Sequence, residues 1–155
     1  MRSGALLAAS TVLAIACFAP SPVLAQEEVG IRAGVSADPD QFYFGGHIET
    51  RPLAERLRFR PNVEVGVGDD VTLIAINLEF AWHFASSRPW HLYLGAGPAL
   101  NIYNVDRGPN DDDTEADGGF NILIGAQHRG GLFAEFKIGA VDSPDIKLGI
   151  GWVLR

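Results

Sequence analysis

The middle of the chain reads Trp90-His91-Leu92-Tyr93-Leu94-Gly95-Ala96-Gly97-Pro98-Ala99-Leu100-Asn101-Ile102-Tyr103. Every even-numbered position of this stretch is apolar, whereas the odd-numbered positions hold polar, aromatic or small residues. A period of two is that of a β-strand, because successive side chains of a strand point to opposite faces. The stretch therefore predicts a strand with one apolar face and one mixed face.

The same alternation recurs along the chain between short runs of turn residues. It predicts strands at residues 29–37, 42–51, 57–67, 71–84, 90–103, 119–128, 132–140 and 146–154. Most connections are short, and the longest is an acidic segment at residues 104–118. Strands at this spacing, without convincing helical periodicity, predict an all-β up-and-down barrel or a sandwich. We favour an eight-stranded antiparallel barrel.

The beginning of the chain has the pattern of a secretory signal peptide. An apolar stretch from Ala5 to Phe18 follows a short positively charged start, and small residues precede a cleavage point after Ala25. We predict a signal peptide at residues 1–25 and one exported domain at residues 26–155. Two alternatives remain: an N-terminal anchor that is not cleaved, and lipidation of Cys17, which otherwise leaves with the leader.

The composition of the exported part excludes several functions. The net charge is −7 for the whole chain and becomes −8 when the leader, whose only charged residue is Arg2, is removed. Only two lysines remain, Lys137 and Lys147, so the basic patch that nucleic acids require is missing. Since Cys17 is the single cysteine, the domain has no disulfide framework.

The two faces of the predicted strands differ sharply in chemistry. One face is apolar along its whole length, as in Ile74, Ile76, Leu78, Phe80 and Trp82. The other face combines many glycines with charged residues of both signs, histidines and amides: Arg32, His47, Glu49, Arg58, Arg60, Asn62, Glu64, Asn77, Glu79, His83, His91, Asn101, Asn121, Gln127, Glu135, Lys137 and Lys147. Glycine weakens a strand on a solvated face, but it suits a narrow lumen in which large and small side chains share space. We therefore predict a transmembrane barrel with a polar, side-chain-filled interior and an apolar exterior.

The aromatic residues support the same orientation of the faces. Trp82, Trp90 and Trp152 fall at one rim of an up-and-down barrel, and we predict that they form an aromatic girdle. The opposite rim receives the other aromatic side chains of strand ends: Phe42, Tyr43, Tyr103 and Phe120. The alternative is an aromatic-rich core of a soluble barrel, with the apolar face turned inward.

The sequence resembles the small outer-membrane barrel families, namely the outer membrane protein A transmembrane domain and the opacity-type barrels. The segments that carry the resemblance are Trp90-His91-Leu92-Tyr93-Leu94-Gly95-Ala96-Gly97-Pro98 and Leu148-Gly149-Ile150-Gly151-Trp152-Val153-Leu154-Arg155. The resemblance implies an integral protein of the outer membrane of a Gram-negative-type bacterium, inserted by the barrel-assembly machinery. Its expected partners are outer-membrane lipid and lipopolysaccharide, and we expect a monomer. Such proteins favour an aromatic residue at the C-terminus, whereas here the last aromatic residue is Trp152.

The residues that could carry chemistry favour no enzyme, metal or cofactor. The four histidines lack the spacing of a metal site. The acidic run at residues 110–117 lacks the spacing of an EF-hand, and we interpret it as a solvated surface loop. The alternative is a weak divalent-cation bridge to lipopolysaccharide phosphates. Some eight-stranded outer-membrane barrels are lipid esterases that use a serine, a histidine and an acid on the lipid-facing surface. His83 with Ser86 or Ser87 is the local candidate for such a site.

One charge network can be predicted from strand pairing. If strands two, three and four pair around residues 52–56 and 68–70, Glu49 lies opposite Arg60, and Arg60 lies opposite Glu79. The guanidinium group of an arginine can hydrogen-bond two carboxylates at once, so these three residues would fill and close the lumen.

The predicted function is a structural or surface-exposed outer-membrane barrel without catalysis. The alternatives are a soluble periplasmic barrel for a small apolar ligand and, third, a lipid esterase.

Overall fold

The structure, a computed structural model, describes residues 27–69, 71–106 and 112–154. The predicted signal peptide at residues 1–25, including Cys17, lies outside the described residues. No helix among the described residues is long and apolar enough to cross a membrane.

Eight strands form one closed barrel in which each strand pairs with its neighbours in the sequence and β1 pairs with β8. All pairs are antiparallel. The strands are β1 (Glu28–Ala37), β2 (Gln41–Glu49), β3 (Leu57–Val67), β4 (Val71–His83), β5 (Trp90–Asp106), β6 (Asp112–His128), β7 (Leu132–Ala140) and β8 (Ile146–Leu154). The predicted eight-stranded up-and-down barrel is confirmed, and a sandwich is excluded because the sheet closes on itself.

The acidic segment at residues 104–118 was predicted as a long loop, and this prediction is wrong. The β5–β6 hairpin continues through it, with Tyr103 opposite Glu115 and Asp106 opposite Asp112. Only residues 107–111 separate the two strands, and they lie outside the described residues. Backbone hydrogen bonds can extend a hairpin through polar sequence that shows no apolar alternation, so the pattern missed this part of both strands.

Pro98 interrupts the pairing of β4 with β5. The ladder runs from Val71↔Val105 to Asn77↔Ala99 and resumes at Phe80↔Ala96, on the other side of the proline. A proline has no N–H to donate to a neighbouring strand, which accounts for the gap. On its other side Pro98 faces Phe120 of β6 in an unbroken register.

The up-and-down order places the connections alternately at the two ends of the barrel. At one end, here called the terminal end, β1 begins, β8 ends, and residues 50–56, 84–89 and 129–131 connect the strands. The far end carries residues 38–40, 68–70, 107–111 and 141–145.

Candidate functional site: the charged lumen and the apolar outer face

The apolar face of the strands points outward. Ile76, Leu94, Ile124 and Ile150 are 38, 48, 50 and 65% exposed, and apolar side chains of every other strand join them on the outer surface. The alternative of a soluble barrel whose apolar face turns inward is therefore wrong. An apolar ligand would meet buried charges inside the barrel, such as Arg60 and Glu135.

Among the described residues, the lumen contains equal numbers of buried cations and anions. Arg32, Arg60, Lys137 and Lys147 are all less than 5% exposed, as are Glu49, Glu64 and Glu79, and Glu135 is 7% exposed. Four positive groups thus face four negative groups within one enclosed space. Buried charges need such partners, because an isolated charge in a poorly hydrated interior is strongly destabilising.

Arg60 lies at the centre of this network. Its Nη1 donates to Glu135 Oε2 at 2.8 Å, and its Nε lies 3.5 Å from Glu49 Oε2. The guanidinium group is held between two rings, 4.8 Å from the ring centre of Tyr93 and 4.9 Å from that of Phe133. Tyr93 Oη also donates to Glu135 Oε2, at 2.8 Å. Arg60 and Glu135 therefore tie β3 to β7 across the lumen.

A second group of charges surrounds Glu64. Lys147 Nζ donates to Glu64 Oε2 at 2.7 Å, and Lys137 Nζ lies 3.2 Å from Glu64 Oε1. Arg32 Nη1 links this group to the first, since it lies 3.2 Å from Glu64 Oε1 and 2.9 Å from Glu135 Oε1. The two groups form one connected network that fills the barrel interior.

The structure places the three residues of the sequence-predicted network close together but with different partners. Arg60 is opposite Glu79 in the β3–β4 register, and Glu49 contacts Arg60. The Glu79 carboxylate, however, pairs with Lys137 at 2.6 Å and accepts a hydrogen bond from Asn62 at 2.8 Å. The main carboxylate partner of Arg60 is Glu135, which sequence reasoning placed on the same face without assigning it a partner.

Glycines make room for the largest side chains of the lumen. A Cβ added to Gly125 would meet the ring of Tyr93, and one added to Gly151 would meet the ring of Phe133. These close approaches explain why glycines alternate with long side chains on the inner face. The space at Gly125 and Gly151 is thus occupied by the two rings that lie on either side of Arg60.

The two lysines of the chain should be protected from amine reagents. The Lys137 and Lys147 side chains are 2 and 4% exposed and both contact Glu64. The amine reagent reaches these side chains only when the barrel opens. Both lysines should therefore react far more slowly in the folded than in the unfolded protein. Mass spectrometry of the labelled peptides measures this difference. Rapid labelling of either lysine while the barrel stays folded would contradict the lumen described here.

The three tryptophans lie on the outer face at the terminal end. Trp82, Trp90 and Trp152 are each between 40 and 47% exposed, and they occupy the ends of β4 and β8 and the start of β5. At the far end only part of the prediction agrees with the structure. Phe42 and Phe120 point outward, but Tyr43 is 3% exposed in the lumen, so its placement in an outer girdle was wrong.

Tyr103 was also placed in the far girdle, and this placement was wrong too. Its position shares the inner parity of Asn101 in β5, and its hydroxyl donates to the backbone oxygen of Asp142 at 3.5 Å. Counting aromatic residues at strand ends, without following the alternation, gave these two errors.

A cavity of about 260 Å³ opens at the terminal end of the lumen. His83, Ser86 and Glu49 all line it, which brings together the residue types of the esterase alternative. His83 Nε2 lies 3.4 Å from Glu49 Oε1, but Ser86 Oγ accepts a hydrogen bond from the Arg88 amide at 3.1 Å. No serine hydroxyl is hydrogen-bonded to His83 among the described residues.

Two of the remaining histidines, His47 and His128, lie away from His83. His47 lies inside the lumen with its ring edge against Phe133, whereas His128 packs against Trp90. His91 stands next to His83, with ring centres 5.2 Å apart. In the part of the chain that the structure describes, no three histidine, cysteine, aspartate or glutamate side chains are grouped as a metal site would need.

Comparisons of sequence and structure gave different results. No protein-family profile matches the chain, and no curated protein sequence is significantly similar to it. Solved structures do match. The N-terminal β-barrel domain of OprF from Pseudomonas aeruginosa aligns with a TM-score of 0.60 and 18% identity, over 82% of this chain and 97% of that domain.

Two other solved structures are similar. The Neisserial surface protein A (NspA) aligns with a TM-score of 0.66 and 18% identity, over 83% of this chain and 94% of its own. The outer-membrane enzyme PagL aligns with a TM-score of 0.50 and 12% identity, over 83% of this chain and 99% of its own. At these identities the likeness concerns the fold. The chain has the fold of the small eight-stranded outer-membrane barrels, as the resemblance in its sequence implied.

Proposed function

We propose that the protein is an integral barrel of the bacterial outer membrane with a structural or surface-exposed role and no catalysis of its own. The observation that carries this proposal is the inverted distribution of polarity. Apolar side chains cover the outside of the barrel, and paired charges fill its inside. In water this arrangement would leave a large apolar surface exposed to solvent, whereas in a bilayer the acyl chains cover that surface.

The structural role is supported by the filled lumen. An eight-stranded barrel is just wide enough for its inner side chains, and here those side chains are linked from β1 to β7 and from β3 to β8 by Arg32, Arg60, Lys147 and their glutamates. Such an interior leaves little room for substrate or solute. The fold likeness to PagL and the three residues in the terminal cavity do not make an esterase the favoured function, because no serine of the described residues is hydrogen-bonded to His83.

Fractionation tests the membrane assignment. We expect the protein in the outer-membrane fraction, resistant to extraction with salt or alkali and released only by detergent. Recovery in the soluble periplasmic fraction without detergent would overturn the proposal.

Spin labels test which residues meet the acyl chains. Labels at Ile76, Leu94, Ile124 and Ile150 should be accessible to oxygen and shielded from polar quenchers, because these outward positions lie within the apolar band. A label at Asp38, exposed in a far-end turn, serves as the control and should show the reverse preference. Accessibility of all five labels to a polar quencher would contradict insertion.

Trypsin applied to intact cells tests the orientation. With the termini in the periplasm, the far end faces the outside, and its four connections contain a single trypsin target, Arg107. We expect cleavage after Arg107, because connections between strands tolerate proteolysis. The Arg107→Gln variant should resist. Cleavage after Arg56 or Arg129, both at the terminal end, would show that the barrel is oriented the other way.

A further inference from the structure

The cavity at the terminal end of the lumen contains buried polar atoms that make no hydrogen bond within the protein. Gln127 lines this cavity and is 1% exposed, and its Oε1 has no hydrogen-bond partner among the described residues. The same holds for His83 Nε2 and Glu49 Oε2, whose side chains also line the cavity. Buried polar groups of native proteins are nearly always hydrogen-bonded, so three such atoms around one cavity indicate a polar ligand.

All three atoms can accept hydrogen bonds. The amide oxygen of Gln127 and the carboxylate oxygen of Glu49 are acceptors, and His83 Nε2 accepts when the ring proton is on Nδ1. Glu49 Oε2 lies 3.5 Å from Arg60 Nε without a hydrogen bond, and His83 Nε2 lies 3.4 Å from the other carboxylate oxygen of Glu49. A primary ammonium group has three N–H donors and a positive charge. Such a group therefore matches these three acceptors.

Arginines that line the same cavity provide the opposite charge. The lining combines four arginines with three glutamates, so it is mixed in sign. Arg58 Nη1 already lies 3.0 Å from Glu49 Oε1. Arg56 and Arg88 are exposed, and a guanidinium group can bind a carboxylate through two parallel N–H donors. A cation alone would be repelled by the arginines, and an anion alone would leave the three acceptors without a donor.

From this arrangement we infer that the cavity at the terminal end binds a small zwitterion of the amino-acid class. The ammonium group of the ligand donates to Gln127, His83 and Glu49, and its carboxylate binds Arg56 and Arg88. The volume of about 260 Å³ is below the roughly 300–1,000 Å³ of sites for larger ligands, which limits the ligand to an amino acid or a short peptide. The inference goes beyond the proposed function, since the cavity depends on the closed barrel and not on the lipid around it.

NMR titration of the isotope-labelled protein in detergent micelles tests the site. The probes are L-alanine and L-alanyl-L-alanine, which carry the same two charged ends at different separations. N-acetyl-L-alanine lacks the ammonium group of alanine and L-alaninamide lacks its carboxylate, so each of these controls removes one charge. The side-chain resonances of Gln127 and His83 report binding in the cavity, and the backbone amide of Asp38, in a far-end connection, is the control within the protein.

We expect a zwitterion to shift the resonances of Gln127 and His83 in a saturable way and to leave Asp38 unchanged. Removing either charge of the ligand should weaken binding by about tenfold or more, the usual effect of losing a hydrogen bond to a charged group. Both probes support the site. Saturation by alanine alone would assign a free amino acid as the ligand, and saturation by the dipeptide alone would assign the end of a peptide.

Substitutions assign each end of the ligand to its partners. Gln127→Leu should weaken binding of the zwitterion by about tenfold, and Gln127→Glu should strengthen it, because a carboxylate attracts an ammonium group more strongly than an amide does. Arg56→Gln/Arg88→Gln should lower the affinity for alanine to that for alaninamide. Arg51→Gln, at the same end but outside the cavity lining, should leave the affinity unchanged. Since Arg56 and Arg88 are exposed, their replacement tests the site even if a change at Gln127 unfolds the barrel.

Several outcomes would overturn the site. If neither zwitterion shifts Gln127 or His83, water alone satisfies these buried atoms and the inference is wrong. Equal affinity for alanine and for both single-charge controls would show that the two ends of the ligand are not recognised. Unchanged affinity in Arg56→Gln/Arg88→Gln would place the carboxylate elsewhere. The fractionation experiment tests the membrane assignment independently, so the failure of one proposal can be distinguished from the failure of the other.

Discussion

Replacing Arg60 by methionine should lower the free energy of unfolding by about 3–5 kcal/mol, the usual cost of breaking a buried ion pair from one side. Methionine keeps much of the volume between Tyr93 and Phe133, so the loss reports mainly on charge. The substitution leaves Glu135 and Glu49 without the cation that lies 2.8 and 3.5 Å away. Urea unfolding in lipid vesicles, followed by tryptophan fluorescence, measures the effect.

A double-mutant cycle identifies the partner of Arg60. Arg60→Met with Glu135→Gln should destabilise by clearly less than the sum of the single changes, because the second change removes the carboxylate that loses its nearest cation in the first. The matched cycle combines Arg60→Met with Glu79→Gln. Glu79 is opposite Arg60 in the register but pairs with Lys137. That cycle should show clearly weaker coupling, because Glu79 belongs to the same network but pairs with Lys137. Stronger coupling to Glu79 than to Glu135 would contradict the arrangement of the lumen.

Replacing Ile76 by arginine should lower the free energy of unfolding in bilayers by about 2–4 kcal/mol, the cost of a charge at the middle of the lipid-facing surface. Ile76 lies midway along β4, between Val63 and Leu100 in the register, and all three side chains are exposed. The expected loss arises mainly from the lipid, because the exposed part of Ile76 is on the outer face of the barrel.

The control for this change is Leu53→Arg. Leu53 is 60% exposed, more than the 38% of Ile76, but it lies in the connection at residues 50–56 at the terminal end. An arginine near the membrane interface costs only about 0–1 kcal/mol. Equal and small losses of unfolding free energy at both positions would mean that the outer face is surrounded by water. That result would contradict the membrane assignment.

Much of the fold could be predicted because the direction of a side chain on a strand is a local property. Alternation along residues 57–67, 132–140 and 146–154 predicts strands whose bounds agree with β3, β7 and β8. The same parity assigns Arg60, Glu79 and Glu135 to one face. The glycines and mixed charges on that face then predict that it is the inside. None of these steps requires knowledge of distant contacts.

The partners inside the lumen could not be predicted, because they depend on how the sheet closes. Arg60 and Glu135 are 75 residues apart, and Arg32 and Glu135 are 103 apart. Neighbouring strands follow from the order of the sequence, which placed Arg60 opposite Glu79. Which side chains meet across the barrel depends on the stagger of all eight strands and on the glycines that let Tyr93 and Phe133 extend inward. A long arginine side chain then reaches past its register partner to a carboxylate on the opposite wall, and only the closed barrel brings the two together.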